Sequence, residues 1–305
     1  MMPESLNIWR SALRPKTLWA AVAPVVMASA MAWTASVFHG PSFAVILSTA
    51  LLIQIGTNLA NDYFDFRKGS DTAGRIGPVR VTQAGLLRPE AVRLAFILVF
   101  AAATLLGAYL VLRGGWPILA IGISSVLLGI LYTGGPFPLA YVGLGDVFAF
   151  LYFGPIAAAG TWYLMAGTWT PESILAGCAA GFFSTALLTV NNFRDIVSDR
   201  RSGKKTLAVR FGARFARIEF LLCLTGVVII PCVFIYRFGA SWWLSLAGIP
   251  VLLRLPAALA AMWADPDESR EFGDRMNRLL AEVGRLEILY AILFSAAWII
   301  AGAGR

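Results

Sequence analysis

The chain alternates long apolar stretches with short polar segments that carry most of its charge. Nine apolar stretches have the length and uniform hydrophobicity of helices that cross a bilayer. They are Trp19–Phe38, Phe43–Tyr63, Ala91–Leu112, Trp116–Tyr132, Val142–Met165, Ile174–Phe193, Ala216–Tyr236, Trp242–Met262 and Leu286–Gly302. This pattern predicts an all-α fold, a polytopic transmembrane bundle of about nine helices around a central cavity. Since no Ser- or Gly-rich linker separates the stretches, we expect residues 1–305 to form a single integral-membrane domain.

The composition supports a membrane protein and changes how the charge is interpreted. Hydrophobic residues make up 58% of the chain, charged residues only 14%, and the mean hydropathy is +0.73. In a soluble protein, a net charge of +8 would suggest nucleic-acid binding. Here the basic residues cluster in loops between apolar stretches, so membrane orientation and an anionic ligand explain them better. We therefore expect the lipid bilayer as a partner and no nucleic acid.

The distribution of lysine and arginine predicts the orientation in the membrane. With nine spans, 21 of the 25 Lys and Arg residues fall on one side. Because cytoplasmic loops are enriched in these residues, that side is expected to face the cytoplasm. The N-terminus and the ends of the second and sixth stretches would then be cytoplasmic, in the plasma (inner) membrane, with the C-terminus outside.

The first candidate site lies where the second apolar stretch ends, in the sequence NLANDYFDFRKGSD. Asn58, Asn61, Asp62 and Asp65 recur at helical spacing and share one helix face, and Asp71 follows closely. Carboxylates at the mouth of a membrane helix are costly unless something binds them. The motif therefore predicts a ligand site rather than an ordinary solvated helix end.

A second acidic motif ends the sixth stretch on the same predicted side. Asn191, Asp195 and Asp199 lie at positions i, i+4 and i+8, and the first two repeat the spacing of Asn61 and Asp65. These side chains offer only oxygen donors, which suit a hard cation such as Mg²⁺. The two motifs are therefore expected to form halves of one site that holds Mg²⁺ together with a phosphate-bearing substrate.

Basic residues after each motif could neutralise the remaining phosphate charge. Each also fits as a residue that merely orients its loop in the membrane. The candidates are Lys68, Arg80, Arg201 and Lys204.

A diphosphate held beside a wide apolar cavity suggests a lipid diphosphate whose allylic C–O bond ionises. Aromatic side chains near the motifs could shield the resulting cation. Tyr63, Phe64, Tyr132, Phe148 and Tyr152 are candidates, although each also fits as a residue that packs in the membrane. The cation would then need a nucleophile, and an electron-rich ring is a good one.

Five blocks of sequence resemble the UbiA family of intramembrane aromatic prenyltransferases. They are RPKTLWAAVAPV, NDYFDFRKGSD, RIGPVRVTQAGL, LYTGGPFPLAYVGLGD and NNFRDIVSDRRSGKKTLAVRFG, within residues 14–212. The resemblance implies that Mg²⁺ and diphosphate are bound by Asn61, Asp65, Asp71, Asn191, Asp195 and Asp199, with Asp62 assisting. Among these, Asp65, Asp195 and Asp199 are the candidate catalytic residues. Candidate substrate-binding residues are Asn58, Asn61, Asp62, Lys68, Arg80, Tyr132, Asp146, Asn191, Lys204 and Arg14.

Two of these blocks, RIGPVRVTQAGL and LYTGGPFPLAYVGLGD, lie in loops. They most resemble the branch of this family that acts on dihydroxynaphthoate. The resemblance implies transfer of a polyprenyl group from its diphosphate to that ring, with loss of the ring carboxylate. Asp146 would orient the ring, or else cap a helix start. Arg14, Lys16 or Arg254 would hold the carboxylate, and Arg254 equally fits a structural ion pair.

Two alternatives stay open at this point. A UbiA-like enzyme could act on another acceptor, such as hydroxybenzoate. A cation-coupled transporter also uses intramembrane carboxylates, although these usually lie near the bilayer midplane. The acidic groups here are expected at the cytoplasmic helix ends, which favours the enzyme.

Overall fold

The computed structural model describes residues 4–69, 77, 80–267 and 269–302. Helices and short turns account for the regular structure of these residues, and no strand occurs among them. The helices are α1 Glu4–Leu13, α2 Trp19–Thr34, α3 Gly40–Arg67, α4 Pro89–Leu131, α5 Leu139–Val142, α6 Gly145–Tyr152, α7 Pro155–Ala166, α8 Pro171–Arg194, α9 Ile196–Arg201, α10 Leu207–Phe238, α11 Ser245–Met262 and α12 Arg270–Gly302. Two 3₁₀ turns, Pro15–Thr17 and Trp242–Leu244, precede α2 and α11.

The helix lengths confirm an integral-membrane bundle. The described residues contain seven helical segments long and apolar enough to cross a membrane, or eight if the bent pair Ser5–Thr17 and Trp19–Thr34 forms one span. One of the seven, α4, has 43 residues and breaks at Gly115, where φ is 68°. A helix of that length is about 65 Å long, roughly twice the hydrocarbon thickness. Counting that bent pair as one span and dividing α4 at Gly115 gives nine spans among the described residues, in line with the prediction of about nine. Glycine tolerates a positive φ best, so a break at this residue costs little.

Two elements differ from the sequence prediction. The fifth stretch, Val142–Met165, is interrupted at Gly143 and Gly154, which separate α5, α6 and α7. The last helix begins at Arg270, well before the predicted Leu286. Its first half carries charge on one face and buries apolar residues on the other, so a search for uniformly apolar stretches excludes it.

Helix α8 lies at the centre of the bundle and packs against α2, α6, α7, α10 and α12. Its approach to the α6–α7 junction depends on two glycines four residues apart. A Cβ at Gly177 would lie 2.6 Å from the Gly154 carbonyl oxygen, and one at Gly181 would lie 2.6 Å from the Phe150 carbonyl oxygen. Small residues at this spacing let membrane helices pack with their backbones close together. The contact fixes α6, which carries Asp146, against α8, which carries the second motif.

Candidate active site

The carboxylate of Asp65 joins the two motifs in space. It is 1% exposed, and Arg80 Nη2 lies 3.1 Å from its Oδ2. Lys204 Nζ lies 3.3 Å from Oδ1, and the Tyr141 hydroxyl donates to Oδ1 at 3.0 Å. Because Lys204 follows the second motif, 139 residues along the chain, this contact brings the ends of α3 and α8 to one place.

Asp62 fixes the loop that carries Arg80. Its Oδ2 accepts from the backbone N–H of Val81 at 3.2 Å, and its Oδ1 accepts from that of Thr82 at 3.3 Å. Asp62 is 1% exposed and Val81 is fully buried, so water competes little for these bonds. Both oxygens of Asp62 therefore hold the backbone next to Arg80 in place, and the role of Asp62 as a metal ligand stays a prediction.

The segment after α4 closes over the end of α3. The Thr133 hydroxyl donates to Asn61 Oδ1 at 2.9 Å, and Lys68 Nζ donates to the Thr133 carbonyl at 2.6 Å. Asn61 and Lys68 thus both contact the loop that follows α4. This loop lies in LYTGGPFPLAYVGLGD, one of the two loop blocks that resemble the naphthoate branch.

Tyr141 lies between two lysines. Lys68 Nζ is 4.5 Å and Lys204 Nζ is 5.1 Å from the centre of its ring, within cation–π range. The pKa of Lys68 is lowered, chiefly by desolvation and also by the nearby Lys204 charge, although Asp65 opposes the shift. The site therefore concentrates positive charge around one carboxylate, as expected for an anion-binding site.

Asn58 anchors the N-terminal segment. Its amide donates to the Leu13 carbonyl at 3.1 Å and to the Thr17 hydroxyl at 2.9 Å. Between these partners Arg14 adopts a left-handed conformation, with φ of 51°, at the start of the 3₁₀ turn. Asn58 thus holds the segment that carries Arg14 against α3.

In the second motif, Arg194 contacts both of the first two polar residues. Its Nε donates to Asp195 Oδ1 at 2.7 Å and its Nη2 to Asp195 Oδ2 at 2.8 Å. Nη2 also donates to Asn191 Oδ1 at 2.7 Å. Arg194 is not among the predicted site residues, yet it is 1% exposed and so lies inside the protein.

The turn after α9 directs Lys204 toward the first motif. Gly203 has φ of 76°, and the Lys204 N–H donates to the Asp199 carbonyl at 2.9 Å. The next residue, Lys205, donates from its N–H to the Tyr141 carbonyl at 3.1 Å. These backbone bonds hold the loop of the second motif against the segment that carries Tyr141.

Asp146 and Tyr132 lie on the inner side of the same region. Asp146 is 4% exposed, and the Asn192 amide donates to its Oδ1 at 3.4 Å. A Cβ at Gly145 would lie 3.1 Å from the Tyr132 hydroxyl oxygen, so this hydroxyl lies beside the residue that precedes Asp146.

Among the described residues, Arg254 pairs with α12 rather than with either motif, and Asp71 lies outside the described residues. Arg254 is 65% exposed on α11, and its Nη1 lies 3.8 Å from Glu282 Oε1 on α12. This ion pair corresponds to the structural alternative that the sequence left open for Arg254.

The donors fit a hard cation. Within the described part of the chain, no three His, Cys, Asp or Glu side chains are grouped closely enough to hold a metal by themselves. The predicted metal ligands that the structure describes, apart from Asp62, supply amide and carboxylate oxygens and no sulfur or imidazole. They are Asn61, Asp65, Asn191, Asp195 and Asp199. An oxygen-only set of this kind suits Mg²⁺ better than a transition metal.

Residues 21–280 match the profile of the UbiA prenyltransferase family. The chain belongs to this family. Among similar proteins is the 1,4-dihydroxy-2-naphthoate octaprenyltransferase of Haemophilus influenzae, 33% identical over 98% of each chain. The Escherichia coli protein of the same name is 39% identical over 81% of this chain and 82% of that protein. A UbiA homolog from Archaeoglobus fulgidus, solved with GPP and Mg²⁺, shares the fold with a TM-score of 0.66 at 14% identity, covering 96% of this chain and 99% of that one.

The structure adds three residues to the site of this UbiA-family enzyme. Arg194 and Tyr141 contact the predicted acids, and Thr133 contacts Asn61. A signal for Arg194 existed in the sequence, because a charged residue at the end of an apolar stretch needs a partner. Tyr141 and Thr133 gave no such signal, since their role arises only when the loop after α4 folds over α3.

Proposed function

We propose that this protein transfers a polyprenyl group from an allylic polyprenyl diphosphate to 1,4-dihydroxy-2-naphthoate, with decarboxylation, and so makes demethylmenaquinone in its reduced, quinol form. The contact between Asp65 and Lys204 carries the proposal, because it supports a single anion- and cation-binding site built from two distant motifs. The names of relatives that are 33% and 39% identical support the choice of acceptor. Membership of the prenyltransferase family supports the reaction class.

Mg²⁺ and the diphosphate would be bound by the oxygen donors of the two motifs. The proposed ligands are Asn61, Asp65, Asp71, Asn191, Asp195 and Asp199. When bound there, Mg²⁺ supplies positive charge to the diphosphate oxygens and so favours cleavage of the allylic C–O bond. Asp62 would act indirectly, by holding the Arg80 loop through the backbone of Val81 and Thr82.

Three basic side chains would bind the phosphate oxygens and neutralise the negative charge that the metal leaves. Arg80 and Lys204 already contact Asp65, and Lys68 lies over the neighbouring Tyr141 ring. Each would exchange a contact with protein for one with the diphosphate. The Tyr141 and Tyr132 rings would then face the positive charge that develops on the allylic carbon.

The acceptor ring would complete the reaction without a strong base. A dihydroxynaphthoate ring is electron-rich, so its carboxylated carbon can form the new bond to the allylic carbon. Loss of CO₂ leaves its bonding electron pair on the ring and restores aromaticity, giving the reduced, quinol form of the product. Arg14 would hold the carboxylate beforehand, and Asp146 with Tyr132 would orient the ring hydroxyls.

The orientation of the chain is part of the proposal. We place the N-terminus and the mouth of the site in the cytoplasm and the protein in the inner membrane. The 21 basic residues on that side of the predicted topology support this placement.

A competition assay tests the proposed function. Purified protein is incubated with MgCl₂, a polyprenyl diphosphate and equal concentrations of 1,4-dihydroxy-2-naphthoate and 4-hydroxybenzoate. We expect a prenylated naphthalene product by mass spectrometry, one CO₂ released per product and no turnover in EDTA. Preference for hydroxybenzoate, or a product that keeps its carboxylate, would overturn the acceptor assignment. Full activity in EDTA would overturn the role of the metal.

A further inference from the structure

We propose that Asn277 of α12 is a positioning residue that orients Asp195 and Asn191 for metal binding by holding Arg194. The inference rests on the proposed function, because it concerns the metal-binding half of the same site. Arg194 Nη1 donates to Asn277 Oδ1 at 2.8 Å, although 83 residues separate the two along the chain.

The guanidinium of Arg194 is a shared centre with three partners. Two of its nitrogens donate to the two oxygens of Asp195, one also donates to Asn191, and the third donates to Asn277. A planar guanidinium has fixed donor directions, so fixing one side of it fixes the others. Asn277 fixes the orientation of the Arg194 guanidinium, and the guanidinium in turn fixes the orientation of the Asp195 carboxylate.

The local chain geometry explains why Asp195 needs this support. Asp195 lies at the junction between α8 and α9, outside helical conformation, with φ of −94° and ψ of 7°. Its side chain is therefore not fixed by either helix. Arg194 is the last residue of α8, and its bond to Asn277 ties the guanidinium to α12.

The first turns of α12 are packed firmly enough against the bundle to hold Asn277 in a fixed position. Phe272 packs against Phe193 with ring centres 5.8 Å apart, and both rings are buried. Met276, next to Asn277, is fully buried. The extra helical turns before Leu286, which the sequence pattern did not predict, thus bring Asn277 to the second motif.

Arg194 itself is poorly placed to contact substrate. It is 1% exposed, and each of its three nitrogens already donates to a protein oxygen. It acts through Asp195 and Asn191. Removing a residue that hydrogen-bonds to metal ligands typically lowers metal affinity or activity by about 10- to 100-fold.

The test compares Asn277→Ala with Asn277→Asp, which keeps an oxygen acceptor at the same position. Arg278→Ala is the matched control, because Arg278 is the next residue on the same helix and is exposed. The binding readout is the thermal stabilisation of each protein by Mg²⁺ with inorganic pyrophosphate, titrated in Mg²⁺. The second readout is the Mg²⁺ dependence of turnover, fitted separately for half-saturation and kcat.

For Asn277→Ala we expect the Mg²⁺ half-saturation to rise about 10-fold in both readouts. Asn277→Asp should stay within about 3-fold of the parent protein, and Arg278→Ala should be unchanged. Thermal unfolding in EDTA detects a purely structural effect. If Asn277→Ala does not fold, Asn277→Ser, which is shorter and leaves the guanidinium unsupported, carries the same expectation.

An unchanged Mg²⁺ half-saturation in the folded Asn277 variant would overturn the proposal, as would equal loss in Asn277→Ala and Asn277→Asp. Failure of the proposed function has a different signature. In that case the parent protein itself shows no Mg²⁺-dependent prenyl transfer, whatever the Asn277 variants do in the binding assay.

Discussion

Replacing Asp65 by asparagine tests the centre of the site with little change of shape. The carboxylate contacts Arg80 at 3.1 Å, Lys204 at 3.3 Å and the Tyr141 hydroxyl at 3.0 Å. Asparagine keeps the size of the side chain but removes its negative charge. The variant therefore leaves two cations side by side without their shared anion.

The structure sets the size of two separate effects. The side chains of Arg80 and Lys204 are 8% and 11% exposed, so these are buried ion pairs. Removing Asp65 leaves the Lys204 ammonium without this carboxylate, and breaking a buried pair of this kind costs about 3–5 kcal/mol of stability. Loss of a group that stabilises the leaving diphosphate lowers turnover by about 10²- to 10³-fold.

The same two cations should then bind an anion more readily. We expect Asp65→Asn to bind pyrophosphate in EDTA at least as tightly as the parent protein, while its turnover with Mg²⁺ falls at least 100-fold. A second change, Lys204→Met, should restore part of the lost stability by removing one unpaired charge, but should not restore turnover.

The assay measures initial rates, thermal unfolding and pyrophosphate affinity on one preparation of each variant. Asp265→Asn is the matched control, because Asp265 also pairs with an arginine, at 3.2 Å, yet its side chain is 98% exposed. We expect that control to behave like the parent protein, since exposed ion pairs contribute little. Turnover in Asp65→Asn above one-tenth of the parent rate would refute a role for this carboxylate in the reaction.

Two further predictions concern the neighbouring loop and the membrane orientation. Tyr141→Phe removes the hydroxyl that donates to Asp65 and keeps the ring beneath the lysines. We expect kcat/KM to fall about 10-fold, because a hydrogen bond to a charged group is lost. An unchanged value would assign Tyr141 to packing alone. In a protein whose three native cysteines are replaced by alanine, Lys205→Cys should react with an impermeant thiol reagent only from the cytoplasm and Ala35→Cys only from outside. Labelling of both from the same side would contradict the proposed topology.

The helices of this protein were predictable because bilayer thickness imposes a length on each apolar stretch. Trp19–Phe38 and Phe43–Tyr63, for example, were each predicted to within about four residues of the observed bounds. The start of α12 was missed, because its buried residues alternate with charged ones that face away from the core. Hydropathy detects surface that faces lipid, and it does not detect surface that one part of the protein buries against another.

The acidic motifs were predictable for a related reason, since carboxylates near a membrane need partners. The partners of each carboxylate are harder to predict. Lys204 and Arg80 are candidates because they follow the motifs, but the sequence does not indicate that both contact the same carboxylate. Arg194 lies within the motif itself, where nothing in the sequence distinguishes it from the other basic residues of the loops.

The two motifs satisfy the same physical requirement in different ways. Asp65 is paired with an arginine from a following loop, and Asp195 is paired with the arginine beside it in sequence. Each buried carboxylate would otherwise destabilise the fold, so a cation beside it offsets the cost of desolvation. The pairings differ in what releases them. In the proposed function Arg80 exchanges its contact with Asp65 for one with the diphosphate, whereas Arg194 keeps its bonds to Asp195 and Asn277. The first motif is therefore expected to rearrange when substrate binds, and the second to serve as the rigid half against which it closes.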